Sequence, residues 1–297
     1  METWERGPVT VLFGDKNGKY PEGNSVVIRG RDTTLLVDPS LGVGRRGLGG
    51  PSLAPDLVAL THVHEDHVAG LHRFADAEVH AHAFDVDGIR SLDGLMRMYG
   101  YGSLEATMRQ LVVDEFDFRA RPAARAFTDG TVFDLGGVRV RAMHTPGHTR
   151  GHCVFVIEPG NMLILGDIDL SSFGPYYGDA WSDLEDFERS IATVRTLDAD
   201  AWITFHHVGV LTERSAFEER LDRFAARVGA REASLLSFLT SPRSIDDMIA
   251  HRFLYPPHAS LPFLDAVERR TVTQHLARLE RSGRIRHEGG LYAATGH

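Results

Sequence analysis

The chain has 297 residues, with a globular balance of 42% hydrophobic and 25% charged residues, and its net charge of −9 argues against a general polyanion binder. The single cysteine, Cys153, cannot form an internal disulfide, which agrees with a reducing compartment. Neither a signal peptide nor a stretch of roughly 20 apolar residues is found, so we predict a cytoplasmic protein without a membrane span.

Short β-rich runs that end in Gly, Pro or Asp dominate the chain up to residue 214. The clearest of these runs are SVVIRG, TTLLVDPS, DLVALTH, VRVRAMH, CVFVIEPG, NMLILGD and AWITFHH. Helical stretches separate them, which predicts a layered core of strands and helices. Residues 83–128 form a helical insertion rich in bulky side chains, which could pack onto the domain or act as a lid over a ligand.

The segment THVHEDH, residues 61–67, follows the apolar run DLVAL and precedes the helical pattern VAGLHRF. We expect its polar residues on a loop at the carboxyl end of a strand, where α/β folds place their ligands. On such a loop His62 and His64 can reach one metal ion, and Asp66 and His67 can reach a second. Imidazole and carboxylate are usual ligands of zinc and also bind iron and manganese. Buried histidines without a metal would repel one another on protonation, so the segment predicts a metal site.

Further histidines occur in MHTPGHTRGH, at the end of a predicted strand. The Pro146-Gly147 turn can present His148 to a metal ion. We interpret the flanking His144 and His152 as hydrogen-bonding or packing residues rather than as ligands.

Two more predicted strands end in candidate ligands. The run MLILGDIDL places Asp167 directly after an apolar strand and a glycine, where a carboxylate could bridge two ions. The run AWITFHHVG ends in His206 and His207. Candidate ligands at several strand ends make coincidence a poor explanation for the first cluster.

The motifs HVHEDH, TPGHT and LILGD, followed by a late histidine at a strand end, resemble those of the metallo-β-lactamase-fold superfamily in the same order. The resemblance covers roughly residues 8–212 and implies an α+β fold, an αββα sandwich with a two-metal site along one edge of its sheets. It implies that Asp38, after an apolar strand, supports the metal-binding loop. The ligands that it implies are His62, His64 and His148 for the first ion, Asp66, His67 and the late histidine for the second, and Asp167 between them.

The late histidine is either His206 or His207. The spacing from Ala199-Asp200 in related sequences favours His206. Phe205 and His207 stand where the family usually has glycine, so both histidines stay candidates.

The resemblance implies two divalent ions, zinc first and iron or manganese as alternatives, that activate a water for attack on a carbonyl or phosphoryl group. Asp66 could orient the hydroxide or pass its proton to the leaving group. Tyr176 or Tyr177 could donate a hydrogen bond to a developing oxyanion. We therefore predict hydrolysis of a small ester, thioester, lactone or amide. The alternatives are a metal-dependent endoribonuclease and, less favoured, a mononuclear iron persulfide dioxygenase.

After residue 214 the sequence becomes mainly helical. The run FEERLDRFAARV is amphipathic, SIDD is a capping box, AVERRTVTQHLARLERSG is a helix that ends at Gly283, and RIRHEGGLYAA is a β-hairpin. This order resembles the winged-helix-like appendage of the lactamase-beta-like branch of the superfamily, some of whose members cleave single-stranded RNA.

The sequence thus predicts a catalytic domain at 1–214 and a small winged-helix-like, helical domain at 215–297. The first part holds 20 basic and 31 acidic residues, and the second holds 12 basic and 10 acidic residues. Because binding to nucleic acid needs a basic surface, we expect a small-molecule substrate rather than RNA. For the second domain we favour packing, shaping of the substrate site or formation of a homodimer.

Overall fold

Residues 3–47, 49–50 and 52–295 are described by a computed structural model, and within them the first sheet has seven strands. These are β1 (Thr3–Arg6), β2 (Val9–Leu12), β3 (Ser25–Arg29), β4 (Thr34–Val37), β5 (Leu57–Ala59), β6 (Glu78–His82) and β7 (Arg125–Phe127). Their order in the sheet is their order in the chain. The strands from β4 to β7 are parallel to one another, and the earlier pairs are antiparallel.

The second sheet has six strands in the same described part of the chain. These are β8 (Val132–Asp134), β9 (Arg139–His144), β10 (Cys153–Glu158), β11 (Met162–Ile164), β12 (Ala201–Ile203) and β13 (Val210–Leu211). They lie side by side in chain order, with β8 and β13 at the edges. Each of the β-rich runs identified in the sequence contains one of these strands or a strand of the first sheet, so the layered core is confirmed.

Helices connect and cover the two sheets. They are α1 (Asp15–Gly18), α2 (Leu41–Arg46), α3 (Glu65–Val68), α4 (Val86–Arg90), α5 (Leu92–Tyr99), α6 (Glu105–Asp114), α7 (Leu184–Thr196), α8 (Arg214–Phe238), α9 (Ile245–His251) and α10 (Leu264–Arg281). None of the described helices is long and apolar enough to cross a membrane.

Successive side chains of a strand point to opposite faces of its sheet. Both faces of each sheet carry buried side chains here, so the two sheets and the helices outside them form four layers. The facing sides of the two sheets share one buried cluster that includes Ile28, Leu35, Val140, Phe155 and Ile203. The outer side of the first sheet packs against α2 to α6, and the outer side of the second packs against α7 and α8. The predicted αββα sandwich is therefore confirmed.

The insertion at residues 83–128 contains α4, α5 and α6, as its pattern predicts. The prediction of a helical insertion was wrong at its end, because Arg125–Phe127 forms β7 and pairs in parallel with β6. Only Phe127 of this strand is buried, so the strand lacks the apolar run that marks the three-residue strands β5, β11 and β12. Leu95, Met98 and Met108 are buried in the cluster on the first sheet, so the insertion is packed onto the domain.

The boundary predicted at residues 214 and 215 falls at the beginning of one continuous helix, α8. Phe217 and Phe224 in its first half pack on the second sheet beside Trp202. Leu235 in its second half packs with Val272 and other residues of α9 and α10. The helix α8 therefore belongs to both parts of the chain.

The local predictions for the C-terminal segment agree with the structure. Ser244 and Asp247 form the capping box of α9, and α10 ends at Arg281, just before Gly283. The hairpin consists of β14 (Ile285–Glu288) and β15 (Leu291–Ala294). Gly289 and Gly290 connect them with φ of +58° and +80°, a conformation that suits glycine. That this segment is winged-helix-like stays a prediction.

Candidate metal centre

The segment 61–67 begins where β5 ends, at the edge of the first sheet. We predicted that its polar residues lie on a loop and that the helix starts after them. Instead, α3 begins at Glu65, so that Asp66 and His67 belong to its single turn, with His64 in an extended conformation before it. Two acidic residues in the first turn of a helix interact favourably with the backbone N–H groups there, which explains the earlier start.

The first candidate metal position, called the first metal position below, consists of His62, His64 and His148. Their inward nitrogens, Nε2 of His62, Nδ1 of His64 and Nε2 of His148, lie 3.0–3.1 Å from one another. Two ligands of a tetrahedral zinc ion, each about 2.0–2.1 Å from the metal, are about 3.3 Å apart. The three nitrogens are buried, and their spacing suits one ion.

The second candidate metal position, called the second metal position below, consists of Asp66, His67 and His206, whose possible ligand atoms also form a compact group. Asp66 Oδ2 lies 2.9 Å from His206 Nε2, but no described group forms an aligned hydrogen bond with this buried oxygen. A buried carboxylate oxygen without a hydrogen-bond partner is costly unless a cation binds it. The donor set therefore fits a metal ion.

Of the two candidate late histidines, the structure brings His206 to this group and not His207. His207 has a φ of +61° and is partly exposed, and its Nε2 lies 3.9 Å from Asp169 Oδ2. His206 is buried, and its Nδ1 donates to the Gly18 carbonyl at 2.7 Å, which leaves Nε2 free for a metal.

Asp167 lies between the two positions. Its Oδ1 is 3.1 Å from His67 Nε2, and its Oδ2 is 3.3 Å from His148 Nε2. Gly166 before it has a φ of +53°, and a Cβ there would lie 2.7 Å from His152 Nε2. A glycine at position 166 therefore suits this close turn, and the Asp167 carboxylate that follows faces both groups of ligands.

Asp38, which the family resemblance implies as a support of the metal-binding loop, contacts His67 of the second metal position. Its Oδ2 lies 3.0 Å from His67 Nδ1. The same carboxylate accepts hydrogen bonds from the Thr61 backbone N–H at 2.8 Å and the Thr61 hydroxyl at 2.6 Å. Asp38 thus fixes both the ring of His67 and the start of the metal-binding segment.

The outward nitrogens of the first metal position also face protein acceptors. His148 Nδ1 donates to the Tyr176 carbonyl at 3.0 Å. His64 Nε2 lies 2.9 Å from Asp179 Oδ2, a close contact whose alignment is poor for a hydrogen bond. Both acceptors come from one loop after Asp167, and sequence reasoning did not find Asp179.

Burial and neighbouring charges lower the pKa values of three of the candidate ligands. Burial, followed by the charge of His67, lowers the pKa of His62 well below its usual value, and burial lowers that of His148 to about 4. Burial raises the pKa of Asp66, but the nearby histidines, His67 foremost, outweigh this and hold it below its usual value. At neutral pH these groups are neutral imidazoles and an ionised carboxylate, the forms that bind metals.

Two ligand histidines are shifted in the opposite direction. Burial lowers the pKa of His64, but the contact with Asp179 outweighs it and raises the pKa to about 9. At His206 the charge of Asp167 outweighs burial in the same way, again to about 9. Metal binding would have to displace a proton from each of these rings, so metal affinity should rise with pH.

The two tyrosines predicted to reach the substrate lie in different surroundings. The Tyr176 ring centroid is 5.7 Å from that of His148, and its hydroxyl donates to Asp179 at 3.1 Å. The placement of Tyr177 contradicts the predicted role, because its buried hydroxyl lies 2.9 Å from His275 Nε2 and faces the C-terminal helices. A run of two tyrosines cannot show in sequence which side chain turns inward.

Two further residues beside the site, Glu65 and His152, form hydrogen bonds with their neighbours. Glu65 is buried and accepts hydrogen bonds from the Tyr99 hydroxyl and from the Tyr20 hydroxyl, the latter at 3.0 Å. His152 is buried, and its Nε2 accepts from the Asp167 backbone N–H at 3.1 Å. His152 thus acts as a hydrogen-bonding residue. Sequence reasoning did not assign a role to Glu65, although its position inside the motif HVHEDH could have indicated one.

Residues 21–226, more than half of the chain, match the profile of the metallo-beta-lactamase superfamily. The chain belongs to this superfamily. The match contains both metal positions and ends within α8. Membership, together with relatives named as thioesterases and lactamase-like proteins, supports a hydrolase.

Similar proteins come from fungi and bacteria. The atrochrysone carboxyl ACP thioesterase of Aspergillus fumigatus is 24% identical over 80% of this chain and 68% of its own length. An uncharacterized protein of Mycobacterium tuberculosis is 35% identical over 46% of this chain and 62% of its own length. A solved metallo-beta-lactamase family protein of Thermus thermophilus has a TM-score of 0.71 at 24% identity, covering 97% of this chain and 99% of that one. The last match shows a shared fold that includes the C-terminal segment.

Proposed function

We propose that the protein is a two-metal hydrolase of small carbonyl substrates, with a thioester as the first class to test. The observation that carries the proposal is the position of Asp167, whose two oxygens face His67 at 3.1 Å and His148 at 3.3 Å. Two divalent ions bound there, zinc first and iron or manganese as alternatives, would lower the pKa of a water and polarise a carbonyl.

The surrounding side chains can assist hydrolysis. Asp66 is ionised and buried, so it can accept the proton of an attacking water and return it to the leaving group. Burial raises the pKa of Tyr176 well above its usual value, so its hydroxyl stays protonated, and by turning from Asp179 it can donate to a developing oxyanion. Burial also raises the pKa of the Cys153 thiol, which makes it a poor nucleophile. As the only cysteine it supports the proposed cytoplasmic location.

The charge distribution favours a small carbonyl substrate over RNA. In the C-terminal segment most arginines are engaged by acids or carbonyls, so they offer little free charge to phosphates. The pairs are Arg269 with Asp246, Arg278 with Glu188, Arg281 with Glu185, and Arg284 with Glu232, while Arg270 contacts backbone carbonyls. We propose that this segment does not bind duplex DNA.

The choice of a thioester among carbonyl substrates is supported by the fungal relative, whose name gives it as an ACP thioesterase. The match covers 80% of this chain. Esters, lactones and amides are the other carbonyl classes that such a site can hydrolyse.

A substrate panel tests the proposal. Zinc-loaded protein would be given an S-acyl N-acetylcysteamine thioester, a p-nitrophenyl ester, a lactone, an amide and single-stranded RNA. We expect the highest kcat/KM on the thioester, no RNA cleavage, and loss of activity in Asp66→Ala. Cleavage of RNA alone, abolished in that variant, would establish the ribonuclease alternative instead.

Metal analysis separates the remaining alternative, a mononuclear iron persulfide dioxygenase. Protein purified without added metal should contain zinc or another divalent ion at both positions. A single iron per chain, with oxygen uptake in the presence of a persulfide and no hydrolysis of the panel, would contradict the proposed hydrolase.

A further inference from the structure

The loop at residues 171–183 connects the segment after Asp167 to α7 and contacts the first metal position. Asp179 Oδ2 lies 2.9 Å from His64 Nε2, and the Tyr176 carbonyl accepts from His148 Nδ1 at 3.0 Å. The Ser182 hydroxyl donates to the His148 carbonyl at 2.7 Å. The loop supplies no ligand to either position, yet it contacts two of the three rings of the first.

Arg231 of α8 holds the beginning of this loop from the other side. Its guanidinium donates to the Phe173 carbonyl at 2.6 Å, to the Pro175 carbonyl, and to the Tyr177 hydroxyl at 3.1 Å. Arg231 is only 4% exposed, and no described carboxylate forms an ion pair with it. Burying a guanidinium without a counterion is costly, so its contacts with loop carbonyls indicate a specific positioning role.

Gln274 of α10 holds the middle and the end of the loop. Its Nε2 donates to the Tyr177 carbonyl at 2.8 Å, and its Oε1 accepts from the Leu184 backbone N–H at 2.7 Å. The packing is close here, because a Cβ on Gly178 would lie 2.3 Å from Val267 Cγ1 of α10. The loop therefore has little room to move away from this helix.

Arg270 of α10 fixes the segment that faces Asp179. Its guanidinium donates to the Tyr99 and Gly100 carbonyls at the end of α5. The Tyr99 carbonyl also accepts from the Ala180 backbone N–H at 3.1 Å. From the same segment the Tyr101 hydroxyl donates to Asp179 Oδ1, so Asp179 is held from the loop and from the end of α5 together.

We propose that the C-terminal helices act as a brace for the first metal position. Arg231, Arg270 and Gln274 fix the backbone of loop 171–183 and of the end of α5, and this places Asp179 against His64. Asp179 is then a positioning residue that contacts the outward side of the His64 ring and keeps its Nδ1 directed at the metal, as outer partners of ligand histidines do. The inference rests on the proposed metal ligands and assigns a role to the C-terminal segment.

The test measures metal binding rather than activity. Apo protein would be titrated with zinc against a chromophoric chelator, and with Co²⁺ while its visible absorption bands are recorded. We expect Asp179→Asn and Arg270→Ala to weaken zinc binding at one of the two positions by about 10–100-fold and to change the Co²⁺ spectrum of that position. Arg270→Lys, which can still reach one carbonyl, should lie between Arg270→Ala and the wild type.

Two control variants separate positioning from general loss of stability. Arg269→Ala removes the neighbouring exposed arginine, which pairs with Asp246, and should leave both zinc affinities unchanged. Leu279→Ala creates a cavity in the C-terminal core away from the loop, so it should lower the melting temperature without changing the Co²⁺ spectrum. Gln274→Leu provides a second probe of the brace if Arg270→Ala does not fold.

The outcomes are distinguishable. Wild-type protein that binds two zinc ions, with variants that match it in affinity and spectrum, would overturn the brace alone. Wild-type protein that binds only one ion would overturn the proposed two-metal function, and it would overturn the brace as well only if Asp179→Asn and Arg270→Ala bind that ion as the wild type does. Selective weakening of one position in Asp179→Asn and in Arg270→Ala, but in neither control, supports the inference.

Discussion

The segment 61–67 and loop 171–183 both contact the first metal position, but they do so in different ways. The first contributes His62 and His64 from its own side chains, directly after a strand of the sheet. The second contributes a backbone carbonyl and the carboxylate of Asp179, and helices far along the chain hold it in place. One segment supplies ligands, and the other controls their orientation.

The difference shows which contributions a sequence can reveal. Ligands must be particular residue types at a particular spacing, so they leave a motif. A carbonyl that orients a histidine can belong to any residue, and its position depends on contacts such as that of Gln274 with the Tyr177 carbonyl. The roles of the ligand segment can therefore be read from the sequence, while those of loop 171–183 require the structure.

The largest effect is expected from the residue that faces both metal positions. Asp167→Ala removes a carboxylate oxygen from each group, so metal content should fall to at most one ion per chain and thioester hydrolysis to background. Inductively coupled plasma mass spectrometry and a thiol-release assay measure the two quantities. The control is Asp200→Ala, at an exposed carboxylate before β12, which should change neither. Retention of both ions in Asp167→Ala would contradict the bridging role.

A smaller effect is expected where a residue acts only through a ligand. Asp38→Asn weakens the partner of His67 Nδ1 and should lower zinc affinity by about 10–100-fold without removing the site. Asp56→Asn is a matched control, because Asp56 is also a strand-associated carboxylate that accepts from the Thr34 backbone N–H, but away from the metals. Equal zinc affinities in the two variants would show that Asp38 has no such role.

The two adjacent tyrosines of loop 171–183 are expected to have different roles, one in catalysis and one in stability. Tyr176→Phe should lower kcat by about 10-fold, less than the loss of a dedicated oxyanion donor, because its hydroxyl is shared with Asp179. Tyr177→Phe should mainly lower stability, by about 1–3 kcal/mol, since it removes the buried hydroxyl that pairs with His275 Nε2 and accepts from Arg231. Steady-state kinetics and thermal unfolding measure the two. A larger loss of kcat in Tyr177→Phe would reverse this assignment.

The smallest effect concerns the pH dependence of the C-terminal packing. Burial lowers the pKa of His275 despite the nearby charge of Glu232. Below about pH 6.5 the unfolded chain therefore binds a proton that the folded protein resists, so stability is full above that pH and falls as the pH is lowered. The melting temperature of wild type should drop more between pH 7.5 and 5.5 than that of His275→Gln. An equal drop in both proteins would exclude this contribution.

Much of the fold could be predicted because strands leave strong patterns. Runs such as CVFVIEPG and NMLILGD alternate or are wholly apolar, and they form β10 and β11. The strand Arg125–Phe127 could not be found, since three residues at a sheet edge carry too little hydrophobic signal. The continuity of α8 across residues 214 and 215 was missed because composition changes there while the backbone does not.

The candidate site shows the same limit at the level of single residues. His206 and His207 are chemically identical neighbours, and only the backbone conformation, with a φ of +61° at His207, turns one toward Asp66 and the other away. Tyr176 and Tyr177 are also neighbours of one residue type, yet their hydroxyls contact Asp179 and His275, respectively. Asp179 follows a glycine in a loop, where an aspartate has many ordinary explanations, so its contact with His64 depends on tertiary structure alone.

The most direct test of the whole account is the metal stoichiometry of the wild-type protein, measured by native mass spectrometry after apo protein is titrated with zinc. The account predicts a final species with two zinc ions per chain and a higher melting temperature than that of the apo protein, since ligands that bind only the folded state stabilise it. A species that saturates at one ion, or zinc binding that leaves the melting temperature unchanged, would contradict a site in which Asp167 joins two metal positions.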